Sequence, residues 1–205
     1  MQQTMKKTNL LSTSTLVKIA ILSAIGYILM FISVPLPMLF PDFLKIDISD
    51  LTALLGGVAL GPLSGVTIAF LKNLLQFVTG MSTTGGVGEF ANFLIGGSFV
   101  FTVSYIYSKK RELSGVIIGL LAGMVVMTIV GCVSNYFIIL PFYQTIGWPI
   151  DAVVAMGAAI NPTIDSKMSF VIWMIAPFNI LKSGLMSLLT LPMYKKTEKI
   201  LNKAR

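Results

Sequence analysis

The chain has 205 residues, 55% hydrophobic and only 11% charged, with no histidine and one cysteine. Its mean hydropathy of +0.87 lies well above the soluble range, and so few charges cannot coat a globule of this size. An ordinary soluble enzyme is excluded. The length leaves room for about six helices of roughly 20 residues each and no additional soluble domain, so residues 1–205 are expected to form a single integral membrane unit.

The first apolar run, residues 16–34, is long enough to cross a ~30 Å hydrocarbon core at about 1.5 Å per residue. Lys6 and Lys7 precede it as in a signal peptide, but no small-residue cleavage site follows, and the run reads as a retained helix. A Pro-rich loop occupies residues 35–50. Its apolar residues Leu36, Leu39, Phe40, Phe43 and Leu44 are unusual in an aqueous segment, and a hydrophobic lid accounts for them. Residues 51–60 and 63–78 form two shorter runs divided by Gly61-Pro62. A Gly/Thr loop, residues 79–88, leads to a run over 90–107 that stops at Lys109-Lys110-Arg111. The fifth span covers 116–140 and ends at Pro141; a long connection, 142–167, precedes the sixth, 168–193, and a basic tail.

With six spans, Lys6, Lys7, Lys109, Lys110, Arg111, Lys195, Lys196, Lys199, Lys203 and Arg205 fall on one side, opposed there only by Glu112 and Glu198. Asp42, Asp47, Asp50, Glu89, Asp151 and Asp165 fall on the other, with Lys45 and Lys167. Lys/Arg bias sets orientation, which places both termini in the cytoplasm. The pI near 9.6 is therefore topological, and no nucleic-acid partner is expected. Without histidine, and with Cys132 alone inside a span, no metal centre or disulfide is expected.

Ionisable and amide side chains inside spans are costly, by ~2.5–3.5 kcal/mol for Lys on insertion scales, and are usually retained for function. PFNILKSG sets Asn179 and Lys182 three residues apart on one helical face, and SNYFIILPFY carries Asn135 beside Tyr136. Lys72, Asn73, Gln76, Glu89 and Asn92 lie in the third and fourth runs, where Lys72 has the alternative of snorkelling to an interface. Amides that merely bridge helices are the competing explanation. Residues 85–88, Gly-Gly-Val-Gly, follow no strand and read as a turn rather than a dinucleotide fingerprint; no P-loop occurs. Ala20 and Ala24, extended loosely by Gly26, have the small-xxx-small spacing that lets helices approach closely, whether inside the bundle or on a partner.

The stretches DISDLTALLGGVALGP, KNLLQFVTG followed by TTGGVGEFANFLIGG, SNYFIILPFY and PFNILKSG resemble the substrate-capture subunits, or S components, of energy-coupling-factor (ECF) vitamin transporters. The similarity is greatest to the riboflavin-specific branch, the RibU family, and covers essentially the whole chain. It implies an all-α bundle of six transmembrane helices in the cell membrane, with riboflavin bound as substrate near the outer side beneath the first loop, and no cofactor. Carried over, Asn135, Asn179 and Lys182 hydrogen-bond the flavin, Gly96 and the loop around Leu44 give backbone or packing contacts, and Asn92 joins them. The Ala20/Ala24 surface corresponds to the place where S components dock on the transmembrane coupling subunit, which works with two ATPase subunits.

The chemistry of the residues fits such a ligand. Isoalloxazine is flat and largely apolar with a uracil-like edge; Asn supplies donor and acceptor, and Lys supplies donors for its carbonyl oxygens or for the phosphate of FMN. A self-sufficient ion-coupled secondary transporter is the alternative, disfavoured by the near absence of intramembrane carboxylates, Glu89 being the closest candidate. An intramembrane enzyme is disfavoured by the missing histidine and poorly paired nucleophiles.

Overall fold

The structure, a computed structural model, describes residues 12–203, so Lys6, Lys7 and Arg205 of the basic clusters lie outside the described residues. Helix α1 spans Thr13–Met30, its start capped by Ser12, whose hydroxyl accepts the Thr15 N–H. The loop after it is not featureless. Strands β1 (Val34–Pro35) and β2 (Lys45–Ile46) pair antiparallel, Val34 opposite Ile46, and pinch off a compact lobe. Helix α2 (Asp50–Leu60) and helix α3 (Pro62–Val78) meet at Gly61, whose φ of +109° only glycine adopts readily, and Pro62 opens α3 where its missing N–H costs nothing. Helix α4 is Val87–Lys109; α5 runs Leu113–Thr145; α6, Ile150–Ala158, lies in the long connection; α7 runs from Lys167 to Lys203.

Four of these helices, α1, α4, α5 and α7, are long and apolar enough to cross a membrane. The two runs read as shorter, 51–60 and 63–78, form α2 and α3, and α2 is too short to cross by itself. At 11 residues it measures about 16 Å, half a hydrocarbon core, and every one of its residues is buried among α1, α3, α4 and α7. Its near-continuous apolar sequence reflects burial in protein on all sides. Close approach needs small residues: a Cβ on Gly65 of α3 would lie 2.7 Å from the Cα of Gly57 in α2. Lipid-type exposure falls on the outer helices, as at Leu121, Val125, Ile129 and Val133 along one side of α5.

One expected helix limit is corrected: the fifth run does not end at Pro141, and α7, as its apolar run indicated, likewise passes through a proline, Pro177. In each case a π segment lies just ahead of the proline, Asn135–Ile139 in α5 and Val171–Ile175 in α7. Leu140 N–H donates to the Asn135 carbonyl and Ala176 N–H to that of Val171, five residues back. The widened turn makes room for a ring that would clash in a regular α-helix, so the helix continues. The two π segments touch each other.

The interior has two apolar clusters. One, around Leu54, Ile68, Phe99, Met127 and Met186, fills the bundle toward the Lys109–Arg111 end. The other, around Phe40, Val87, Tyr143, Phe170 and Phe178, lies at the β1–β2 end. At the former end Glu198 of α7 accepts from Tyr107 at 2.7 Å and pairs with Arg111 at 3.1 Å, tying α4 to the last helix.

Candidate functional site

Around and between the clusters lies a cavity of about 360 Å³, reached from the β1–β2 end and walled by α1, the first loop, α4, α5 and α7. Asn135, Asn179, Lys182, Asn92, Gly96 and Leu44 all line it. The π segments are part of the reason. Asn135 opens the first of them and Asn179 follows the second by four residues, and each amide nitrogen donates to a carbonyl of its own helix, Gly131 and Ile175, at 2.8 Å. Neither Oδ1 accepts a hydrogen bond from another described residue, so both amides bring an uncommitted acceptor to the cavity wall. Helix-bridging, the competing role for these amides, is not what they do. Gly131 leaves the space that Asn179 occupies: a Cβ there would meet Nδ2 at 2.6 Å.

Lys182 is 4% exposed and saturated. Its ammonium lies 3.2 Å from Asp47 Oδ2, 3.1 Å from Asp50 Oδ2 and donates to Asn92 Oδ1 at 2.7 Å. Lys72 does not snorkel. It is wholly buried, 2.7 Å from Asp50 Oδ1, and donates to the Ser49 hydroxyl, which in turn donates to Asp47. Asn92 Nδ2 donates to Asn73 Oδ1 at 3.0 Å, and Asn73 donates to the Ala69 carbonyl, so the network is anchored in α3. Burial works to raise the pKa of Asp47, but Lys182 and Lys72, with the Ser49 hydrogen bonds, outweigh it and hold the carboxyl well below the usual carboxylate range.

Asp47 and Asp50, which the charge pattern assigned to the outer side, are thus buried inside the protein and join Glu89 as buried carboxylates, both of them committed to lysines. Two lysines require two counter-charges at this depth, since an unpaired buried charge is prohibitively costly. The sequence signal was present: DISD opens a helix beside a wholly apolar run that carries no other anion. Gly96 serves this cluster as well as the cavity, because a Cβ on it would sit 2.9 Å and 3.0 Å from the two Asp50 oxygens.

The first loop covers the cavity with its own apolar side chains. Phe40 is buried, edge-on to Phe178 with centroids 5.3 Å apart, and Phe43 packs against Tyr143, Trp148 and Phe170. Leu39, expected among the lid residues, points outward and is 57% exposed. Ala20 and Ala24 are exposed on the outward side of α1 with Val17, Ile21 and Ile28, so packing within the bundle does not explain them. Gly26 is not part of that strip; it faces inward against Thr52 and Lys72.

Residues 14–194 match the family of ECF transporter substrate-specific components. The chain is 35% identical to the riboflavin transporter RibU of Staphylococcus aureus (strain TCH60) over 97% of both chains. It is 34% identical to the riboflavin transporter FmnP of Bacillus subtilis (strain 168) over 82% of this chain and 83% of that protein. A solved structure described as the S component of a bacterial ECF transporter superimposes with a TM-score of 0.70 at 35% identity, covering 91% of this chain and 96% of that one. A cavity of this kind within a helical bundle, and a match across nearly all of the described residues, lead to one assignment: the chain belongs to the substrate-specific components of ECF transporters.

Proposed function

We propose that this protein captures riboflavin from outside the cell and delivers it to the cytoplasm as the S component of an ATP-driven ECF transporter. The observation that carries the ligand is the cavity wall itself. Asn135 and Asn179 bring uncommitted acceptors beside the Lys182 ammonium, in a chamber of mixed polar and apolar lining whose size is typical for small-molecule sites. The amide oxygens suit the ring N–H of a flavin's uracil-like edge. Lys182 suits a ring carbonyl, for which Asn92 or Asp47 yields one of its three positions. Leu44, Ile95, Ile139 and Phe178 offer apolar surface to the ring faces. The names of the RibU and FmnP relatives agree with this ligand.

In this reading the chain sits in the cell membrane with six passes, α2 and α3 counting as short ones, and both termini are cytoplasmic. Energy comes from a transmembrane coupling subunit and two ATPases that meet the Ala20/Ala24 face. Membership of the family speaks against the self-sufficient secondary transporter. Mass identification of the molecule that co-purifies with the protein, followed by titration of the emptied protein by flavin fluorescence quenching, tests the ligand. Saturable quenching at one site per chain is expected; no binding of riboflavin to folded protein overturns the proposal.

A further inference from the structure

Lys182 and its surrounding amides form one polar pole of the cavity. A second lies where the α3–α4 connection enters α4, and the ring-edge contacts leave it unused. Glu89 is 8% exposed and lines the cavity. Its Oε2 accepts from Ser82 Oγ at 2.8 Å and from Thr84 Oγ1 at 3.4 Å. Those hydroxyls are themselves fixed: Ser82 Oγ accepts the Gly86 N–H at 2.8 Å and Thr84 Oγ1 the Gly88 N–H at 2.9 Å. The other oxygen, Oε1, accepts no hydrogen bond among the described residues. This is a buried carboxylate, rigidly mounted, with half of its acceptor capacity open to the chamber.

The two poles lie along a single helix face. Glu89, Asn92 and Gly96 follow one another at spacings of three and four residues, and all three line the cavity. From Glu89 to Gly96 the helix rises about 10 Å. A ligand whose ring edge meets Asn92 and Lys182 therefore has its substituent within reach of Glu89.

A carboxylate only accepts hydrogen bonds, so it selects for hydroxyl or N–H groups and against anions. The buried charge around the chamber reinforces this. The buried carboxylates Asp47, Asp50 and Glu89 outnumber the buried ammoniums of Lys72 and Lys182, both already committed to carboxylates, and the other cation on the cavity wall, Lys45 of β2, is exposed. Among the described residues, no buried cation is left over for a phosphate.

We propose that Glu89, mounted by Ser82 and Thr84, is a specificity-determining residue that accepts hydrogen bonds from the ribityl hydroxyls of riboflavin and repels the phosphate of FMN. This deepens the riboflavin reading and rests on it.

The test compares riboflavin, FMN and lumiflavin, which has the ring without the ribityl chain, on wild type and Glu89→Gln in detergent. Losing a charge-assisted hydrogen bond lowers riboflavin affinity by about 10-fold or more. Lumiflavin affinity stays the same, and the preference for riboflavin over FMN shrinks by at least the same factor. Should Glu89→Gln fail to fold, Glu89→Asp, which withdraws the carboxylate but keeps its charge, lowers riboflavin affinity while FMN remains disfavoured. Riboflavin affinity and FMN preference both unchanged in the variant that folds, or equal losses for riboflavin and lumiflavin, overturn the role of Glu89 while leaving the riboflavin reading intact. Wild-type protein that binds neither riboflavin nor lumiflavin overturns that reading, and this inference with it.

Discussion

Lys72 Nζ lies 2.7 Å from Asp50 Oδ1, and neither side chain is exposed by more than 1%. The pair crosses from α3 to the first residue of α2, and through the second Asp50 oxygen it continues to Lys182 in α7, 3.1 Å away. Three helices are thereby pinned at one point beneath the cavity. Removing one partner of such a pair leaves an uncompensated buried charge, whereas removing both together is often nearly neutral. Lys72→Met is expected to destabilise the protein by about 3–5 kcal/mol in detergent unfolding. Combining Lys72→Met with Asp50→Asn is expected to recover at least half of that loss. A double variant no more stable than Lys72→Met would mean that Asp50 is held by Lys182 alone.

Gly96 links this cluster to the ligand chamber. The Asp50 carboxylate beside it is gripped by two lysines and has little freedom to retreat, so the Cβ of Gly96→Ala, 2.9 Å from Oδ1, overpacks the site. The expected cost is about 1–3 kcal/mol of stability. Because Lys182 takes its position from Asp50, flavin affinity should fall as well. Fluorescence titration alongside thermal unfolding reads both, and wild-type behaviour in the two measurements would show that the carboxylate moves aside freely.

The first loop holds its closed position by apolar contact of Phe40 and Phe43 and by the Asp47–Lys182 pair, 3.2 Å across. Segments with so few anchors open locally and order when a ligand adds contacts beneath them. Amide hydrogen exchange over residues 36–47 is expected to slow on addition of riboflavin, with Phe40→Ala exchanging faster than wild type in both states. Equal exchange with and without ligand would make the loop a fixed cover instead of a lid.

Ala20 and Ala24 lie on the outward side of α1, away from the chamber. Surface substitutions of this kind usually change free energies by no more than ~0.5 kcal/mol, so Ala20→Trp and Ala24→Trp should keep flavin affinity within about threefold of wild type. The same bulk should prevent a partner helix from approaching, abolishing ATP-driven uptake in vesicles that contain the whole complex. Uptake at the wild-type rate in both variants would take this strip out of the interface.

Much of the architecture could be read directly from the chain. Apolar run length, the Gly61-Pro62 break and the Lys109–Arg111 stop mark helix limits, because hydrophobicity, backbone freedom and charge act locally and add along the sequence. The polar residues within the runs also announced themselves, since each is costly in hydrocarbon wherever it sits. What the chain alone left open was which of them meet. Asp47 and Lys182 are 135 positions apart, and hydropathy places an aspartate in a Pro-rich loop in water. Only the folding of that loop over the bundle brings it against a buried ammonium. The same holds for α2, whose sequence reads as a short span because burial in protein and burial in lipid demand the same apolar side chains. The π segments before Pro141 and Pro177 depend on neighbouring helices to satisfy and support a widened turn, so no local pattern gives them away. Sequence determined which residues leave water; tertiary structure decided which of the charged ones neutralise each other, because Coulomb pairing depends on distance in space and not on distance along the chain.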